Sequence, residues 1–208
     1  MRHWNSNITC VIDLETSGFD ANHHEIVQIC ILPVTPDLTV DKTKNPFYIT
    51  MKPDFPTRVD KKAMFVNKLK MSDLKFSQEA GFSLFESWFE KVVPFNRGGY
   101  RAKIIPIGQN YAQFDAGFLK VWLDNFGFEY HEFFHSGTRD TQTIASFIND
   151  RHAMKGSKPP FDNCKLSTLC NKYNVENVNA HDALADCQAT LEVYRHMCKD
   201  AENMIGTL

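Results

Sequence analysis

The chain's 208 residues suffice for one large domain with a sizeable core, and 43% hydrophobic against 23% charged residues is an ordinary balance for a soluble globular protein. No apolar run approaches the roughly eighteen residues of a membrane helix, and Met1-Arg2-His3-Trp4-Asn5 lacks the apolar stretch of a signal peptide, so a cytoplasmic, intracellular location is expected. A net charge of −2 excludes a globally basic nucleic-acid binder, although Lys42 to Lys75 holds nine Lys or Arg against three Asp, about +6, leaving the remainder near −8. By charge alone that segment reads as a solvated face. The six cysteines form no C-x-x-C, which points to reduced, mostly buried thiols and away from a zinc site.

In chain order, Ile8 to Ile12 reads as a buried strand, with Gly18 ending the element. Asp13 and Glu15 stand at alternate positions and therefore share one face of the sheet. Two acids on one face of a central strand are costly unless a cation lies between them, and hard carboxylate oxygens suit Mg²⁺ or Mn²⁺. Taken alone, the pair also fits two strand-end acids facing solvent. Glu25 to Val34 predicts a second strand, ended by Pro33 and Pro36, and Phe47 to Met51 a third; their short connections suggest an antiparallel meander. Lys52 to Ser77 is irregular, with a helical piece near Asp60 to Lys68. Phe82, Phe85, Trp88 and Phe89 mark the apolar face of a helix over Ser77 to Val92.

Lys103 to Ile107 predicts a fourth strand, which follows a helix and can return parallel to the first. Helices are expected over Tyr111 to Phe126 and Thr138 to Ile148. Asp150 to Asn163, with Gly156 and Pro159-Pro160, reads as a loop, Leu166 to Tyr173 as a short helix, and His181 to Lys199 as a long final helix. This order gives an α/β domain with helices on both faces of a mixed sheet.

Two further acidic elements accompany Asp13-x-Glu15. Gly108-Gln109-Asn110-Tyr111-Ala112-Gln113-Phe114-Asp115 runs from the end of the fourth strand into a helix, the place where ligands gather in open α/β sheets. His181-Asp182-Ala183-Leu184-Ala185-Asp186 opens the last helix. Each alone fits a helix-start acid or a surface histidine. Asp13-x-Glu15, Asn110-x-x-x-Phe114-Asp115 and His181-x-x-x-x-Asp186, in that order, resemble the DEDD exonuclease family, in the subtype whose last motif carries histidine. This family includes proofreading exonucleases of DNA polymerases, ribonuclease T and oligoribonuclease. Asp140-Thr141 and Lys165 to Leu169 also look like its connecting segments. Gln109 departs from the pattern, since many members have histidine before the asparagine.

The resemblance implies a ribonuclease H-like fold, a mixed five-stranded sheet with helices on both faces, as a single exonuclease domain over residues 1–208. It implies 3′-to-5′ hydrolysis of single-stranded nucleic acid releasing nucleoside 5′-monophosphates, with DNA slightly favoured over RNA. Four carboxylates, Asp13, Glu15, Asp115 and Asp186, suit two divalent cations, Mg²⁺ or Mn²⁺, with Asp13 bridging both. His181 would act as general base, imidazole's ordinary pKa of about 6.5 suiting that role. Thr16, Ser17, Gly18, Asn110 and Phe114 would touch substrate, with Phe19 or Tyr111 available to stack on a base. In this setting the Lys42 to Lys75 segment becomes a guide for the strand backbone. Expected partners are single-stranded 3′ ends and a polymerase or a homodimer mate. The alternatives are an RNA-trimming exoribonuclease or oligoribonuclease, and a binding module of low activity.

Overall fold

β1 (Ile8–Thr16) lies at the centre of the sheet, and the chain folds outward from it. The computed structural model describes residues 7–95 and 98–205, with side chains of the last helix to residue 200. β2 (Ile26–Val34) and β3 (Phe47–Thr50) complete an antiparallel meander, as expected. After α1 (Lys61–Val66) and α2 (Gln78–Val92), β4 (Ile104–Gly108) returns parallel to β1 on its other side. α3 (Asp115–Asp124), α4 (Tyr130–Phe133), β5 (Arg139–Asp140), α5 (Thr141–Met154), α6 (Leu166–Tyr173) and α7 (Ala183–Ile205) follow. The sheet order is β3-β2-β1-β4-β5, with β5 parallel to β4.

Strand alternation divides β1 between two cores. Cys10, Ile12 and Leu14 pack into the larger one, with Phe82, Phe85 and Phe89 of α2 and Phe118 and Trp122 of α3. That core is largely aromatic: Phe82 stacks on Phe126 at 4.4 Å and meets Trp122 edge-on at 5.7 Å, a geometry favoured by the ring quadrupoles. Val11 faces the other way, joining Cys30, Leu32 and Ile107 against Ala183, Cys187 and Leu191 of α7. A third cluster, including Ile148, Leu169 and Val193, joins α5 and α6 to the outer side of α7. All six cysteines are free thiols and four are buried.

Several boundaries differ from the expectations. Pro33 does not end β2. Its carbonyl accepts from the Asp41 N–H (3.0 Å), so its nitrogen also faces the outer side and no bond to β1 is lost. The predicted helix over Tyr111 to Phe126 starts only at Asp115, because Asn110 takes a left-handed backbone (φ 60°) and Asp140 accepts from the Asn110 and Ala112 N–H groups. Gly108 permits the reversal there: a Cβ would lie 2.7 Å from that of Tyr111 and 3.1 Å from the Ile12 carbonyl.

The helix expected from Thr138 starts at Thr141, because Arg139 and Asp140 pair with Ile107 and Gly108 and Asp140 caps the Gln142 and Thr143 N–H groups. It runs to Met154, into the expected loop. α7 begins at Ala183 rather than His181, whose φ of 70° is incompatible with a helix, and extends to Ile205. Among the described residues no helix is long and apolar enough to cross a membrane.

Candidate active site

The face of β1 that carries Val11 also carries Asp13 and Glu15, and α7 packs across it. Register places Asp13 opposite Cys30 and Glu15 opposite Gln28. Asp186, in the first turn of α7, therefore comes down beside Glu15. Potential ligand atoms of Glu15, His181 and Asp186 lie within 4.8 Å of one another, with both acids buried and the histidine exposed. Two hydrogen bonds fix Asp186: Asn177 Nδ2 donates to Oδ1 (2.5 Å) and the His181 N–H donates to Oδ2 (3.0 Å). Asp115, 3% exposed at the start of α3, reaches β1 from the other side of the strand end. Its Oδ1 accepts the Leu14 N–H at 3.0 Å, between Asp13 and Glu15 in sequence.

Burial and neighbouring charge disfavour ionisation of three of these acids. Burial, followed by the charges of Asp186 and Asp115, raises Glu15 to about 8. Burial raises Asp115 to about 8 against the opposing effect of its backbone hydrogen bonds. Asp13 is pushed well above the carboxylate range by burial, then by Asp115, Glu15 and Asp186. These oxygen donors fit divalent cations: positive charge held among them would offset the repulsion and stabilise the ionised forms.

The remaining sequence candidates divide into groups that line the site and groups engaged by the fold. Glu15, Thr16, Phe19, Phe114 and His181 border a cavity of about 200 Å³ beside the acids, together with Asn67, which the sequence did not single out. Gly18 borders it too, with the His24 ring packed where a Cβ would stand. Thr16 donates its hydroxyl to the Gly18 carbonyl (2.6 Å), and Ser17 Oγ accepts the Glu25 N–H (2.9 Å), so both shape the loop. The Asn110 carbonyl accepts from the Gln113 and Phe114 N–H groups, building the turn into Asp115. Phe114 packs on Phe118 and, at 6.5 Å, on Phe19.

Phe19 is 77% exposed, whereas Tyr111 is fully buried and hydrogen-bonded to Tyr130 (2.8 Å); Tyr111 is a core residue and is not placed to stack on a base. Gln109 holds the Cys164 carbonyl (2.7 Å) and accepts from Thr141 Oγ1 (2.6 Å), which makes its role structural. Of the basic segment, Lys44 pairs with Asp41 (2.6 Å) and Lys68 donates to the Ala180 carbonyl (2.9 Å), while Lys61 and Lys62 are exposed at the start of α1. Sequence reasoning missed Asn177, whose place nine residues before Asp186 carries no recognisable spacing.

A ribonuclease H-like sheet with four acids gathered at the end of its central strand defines the class of domain. The chain belongs to the RNase_T exonuclease family, whose sequence profile matches residues 10–194, within the DEDD superfamily. It is 25% identical over 198 residues to the DNA polymerase III PolC-type of Listeria monocytogenes, covering 94% of this chain and 12% of that protein. The chain thus spans about an eighth of such relatives. The crystal structure of E. coli Exonuclease I in complex with a dT13 oligonucleotide superposes with a TM-score of 0.74 at 17% identity, over 97% of this chain and 43% of that one. The zinc-bound form of the E. coli ExoI–ssDNA complex gives 0.70 at 19% identity, over 91% and 40%.

Proposed function

We propose that this chain is a divalent-cation-dependent 3′-to-5′ exonuclease of the histidine subtype, hydrolysing single-stranded DNA, and RNA less readily, to nucleoside 5′-monophosphates. The observation that carries this reading is the convergence of Glu15, His181 and Asp186 within 4.8 Å, with Asp13 and Asp115 adding two more buried carboxylates beside them. DNA is favoured because the PolC-type relatives are DNA polymerases by name and the Exonuclease I neighbour holds a DNA oligonucleotide.

A phosphodiester is anionic and repels an attacking hydroxide, so hydrolysis needs positive charge at the scissile phosphate. Two Mg²⁺ or Mn²⁺ ions, when bound, supply that charge and a more acidic water. Asp13, Glu15, Asp115 and Asp186 would hold them. His181 stands exposed at the edge of the cluster and takes the proton of the attacking water. The terminal nucleotide enters the cavity bordered by Thr16, Phe19 and Phe114, where Phe19 offers a face for stacking. A polymerase is the partner favoured by the PolC-type likeness.

Digestion of 5′-labelled single-stranded DNA and RNA of matched sequence, with Mg²⁺ or Mn²⁺ and with chelator, tests the proposal. A cation-dependent ladder shrinking from the 3′ end is expected, with DNA the faster polymer. Absence of cleavage of either by the folded, cation-loaded protein would overturn it in favour of a binding module.

A further inference from the structure

His181 holds a backbone conformation that disfavours any residue with a β-carbon, φ +70°. Hydrogen bonds from separate parts of the chain hold the turn around it. Its own N–H is spent on Asp186, and Lys68 Nζ grips the carbonyl of the preceding Ala180 at 2.9 Å. On the following side the turn is tied to the sheet. Gln28 of β2, only 3% exposed and directly opposite Glu15, accepts the Ala183 N–H on Oε1 (2.8 Å). Its Nε2 donates to Asp182 Oδ2 (3.4 Å) and to the Tyr48 hydroxyl (3.1 Å). Tyr48 of β3 donates its O–H to the same Asp182 oxygen at 2.5 Å, while Asp182 Oδ1 caps the Ala185 N–H at 3.1 Å.

Capping α7 requires only Asp182 Oδ1. The second oxygen, a buried amide used at both ends and a tyrosine on the edge strand all serve the two residues that follow His181. Anchored on the buried Gln28 and reaching half-buried Asp182 and exposed Tyr48, such a polar network specifies one geometry when its members are satisfied. We propose that Gln28 and Tyr48 are positioning residues: through Asp182 and Ala183 they fix the turn that aims the His181 imidazole at Glu15 and Asp186. The inference rests on His181 being the base of the reaction proposed above.

Tyr48→Phe is the test, since Tyr48 is 39% exposed and the change removes one oxygen. Small misplacements of a reacting group are expensive, so kcat should fall roughly 10- to 100-fold. KM and Mn²⁺ affinity should stay within about threefold, because neither depends on the base. In a His181→Ala background the same change should cost less than about twofold, the signature of a residue acting through His181. An equal loss in both backgrounds, or no loss of kcat in the parent, would overturn the inference. Imidazole NMR gives a readout independent of turnover. Of the eight histidines, the signals absent from His181→Ala identify His181, and these should shift in Tyr48→Phe while the other seven hold. Unmoved His181 signals would overturn the positioning role even in an inactive protein. Near-parental turnover by His181→Ala with shifted signals would instead refute the base assignment and leave the positioning intact.

Discussion

On one face of β1, Cys10, Ile12 and Leu14 are buried among the phenylalanines of α2 and α3; on the other, Val11 gives way to Asp13 and Glu15 beneath α7. The backbone is the same and only the parity of the position changes. The apolar face contributes stability, while the acids gathered at the other face oppose folding at neutral pH, because burial disfavours the ionised forms of Glu15 and Asp115, and neighbouring charges add to this at Glu15. If Asp13 holds cations as proposed, Asp13→Ala should lower turnover on the order of 10⁴-fold. Mn²⁺ affinity, followed by electron paramagnetic resonance, should fall with it, without a loss of stability. Ile12→Ala, one residue away on the opposite face, should cost about 2–5 kcal/mol in denaturant unfolding and leave kcat of the folded fraction nearly unchanged. If Asp13→Ala turns over at near-parental rates, the acidic face is not the catalytic one.

His181→Ala sharpens the contrast within the site, because it removes the proposed base and leaves all four acids. A loss of about 10²–10³-fold in kcat is expected, with strand binding and Mn²⁺ affinity retained. Parallel loss of cation binding would show that the imidazole is itself a ligand.

The pH dependence of the cation-free protein distinguishes the two faces by stability. Glu15 and Asp115 rise from 4.5 and 3.8 to about 8 on folding, so between those limits the native state binds more protons than the unfolded chain. Stability from these groups is full below about pH 4 and declines as pH rises toward 8. Tm in chelator should fall over that range, and Mg²⁺ or Mn²⁺ should restore more of it at pH 8 than at pH 5. Asp115→Asn should flatten the dependence. A chelated Tm that climbs from pH 5 to 8 would contradict raised Glu15 and Asp115.

The period-2 pattern of β1 places Asp13 and Glu15 together, and the aromatic spacing of α2 identifies its buried face, because both patterns are local. β5 leaves no such pattern, because its two residues are a strand only by pairing with Ile107 and Gly108. By sequence His181 opens α7, because a left-handed φ at a non-glycine residue leaves no mark in the chain. Gln28, Tyr48 and Asp182 are plain in the sequence as single residues, yet their meeting spans 154 and 134 residues and depends on the register of β2 with β3 and on where α7 begins.

The smallest expected effect concerns the approach to the acidic face. Lys61 and Lys62 occupy the first turn of α1, where the helix dipole disfavours positive charge, and Ala63, Val66 and Asn67 of the same segment border the cavity. The nucleic-acid strand of the proposed reaction would account for cations in this locally unfavourable place. Reversing both to Glu should leave α1 at least as stable, since acids suit a helix start. Binding of single-stranded DNA should nonetheless weaken, and the slope of log affinity against log salt should flatten by about 1.4, roughly 0.7 for each phosphate no longer neutralised. Fluorescence anisotropy in Ca²⁺ across a salt series would measure both. Weaker binding with an unchanged slope would assign the effect to a distorted cavity, and an unchanged affinity would return the two lysines to the solvated surface that composition alone suggests.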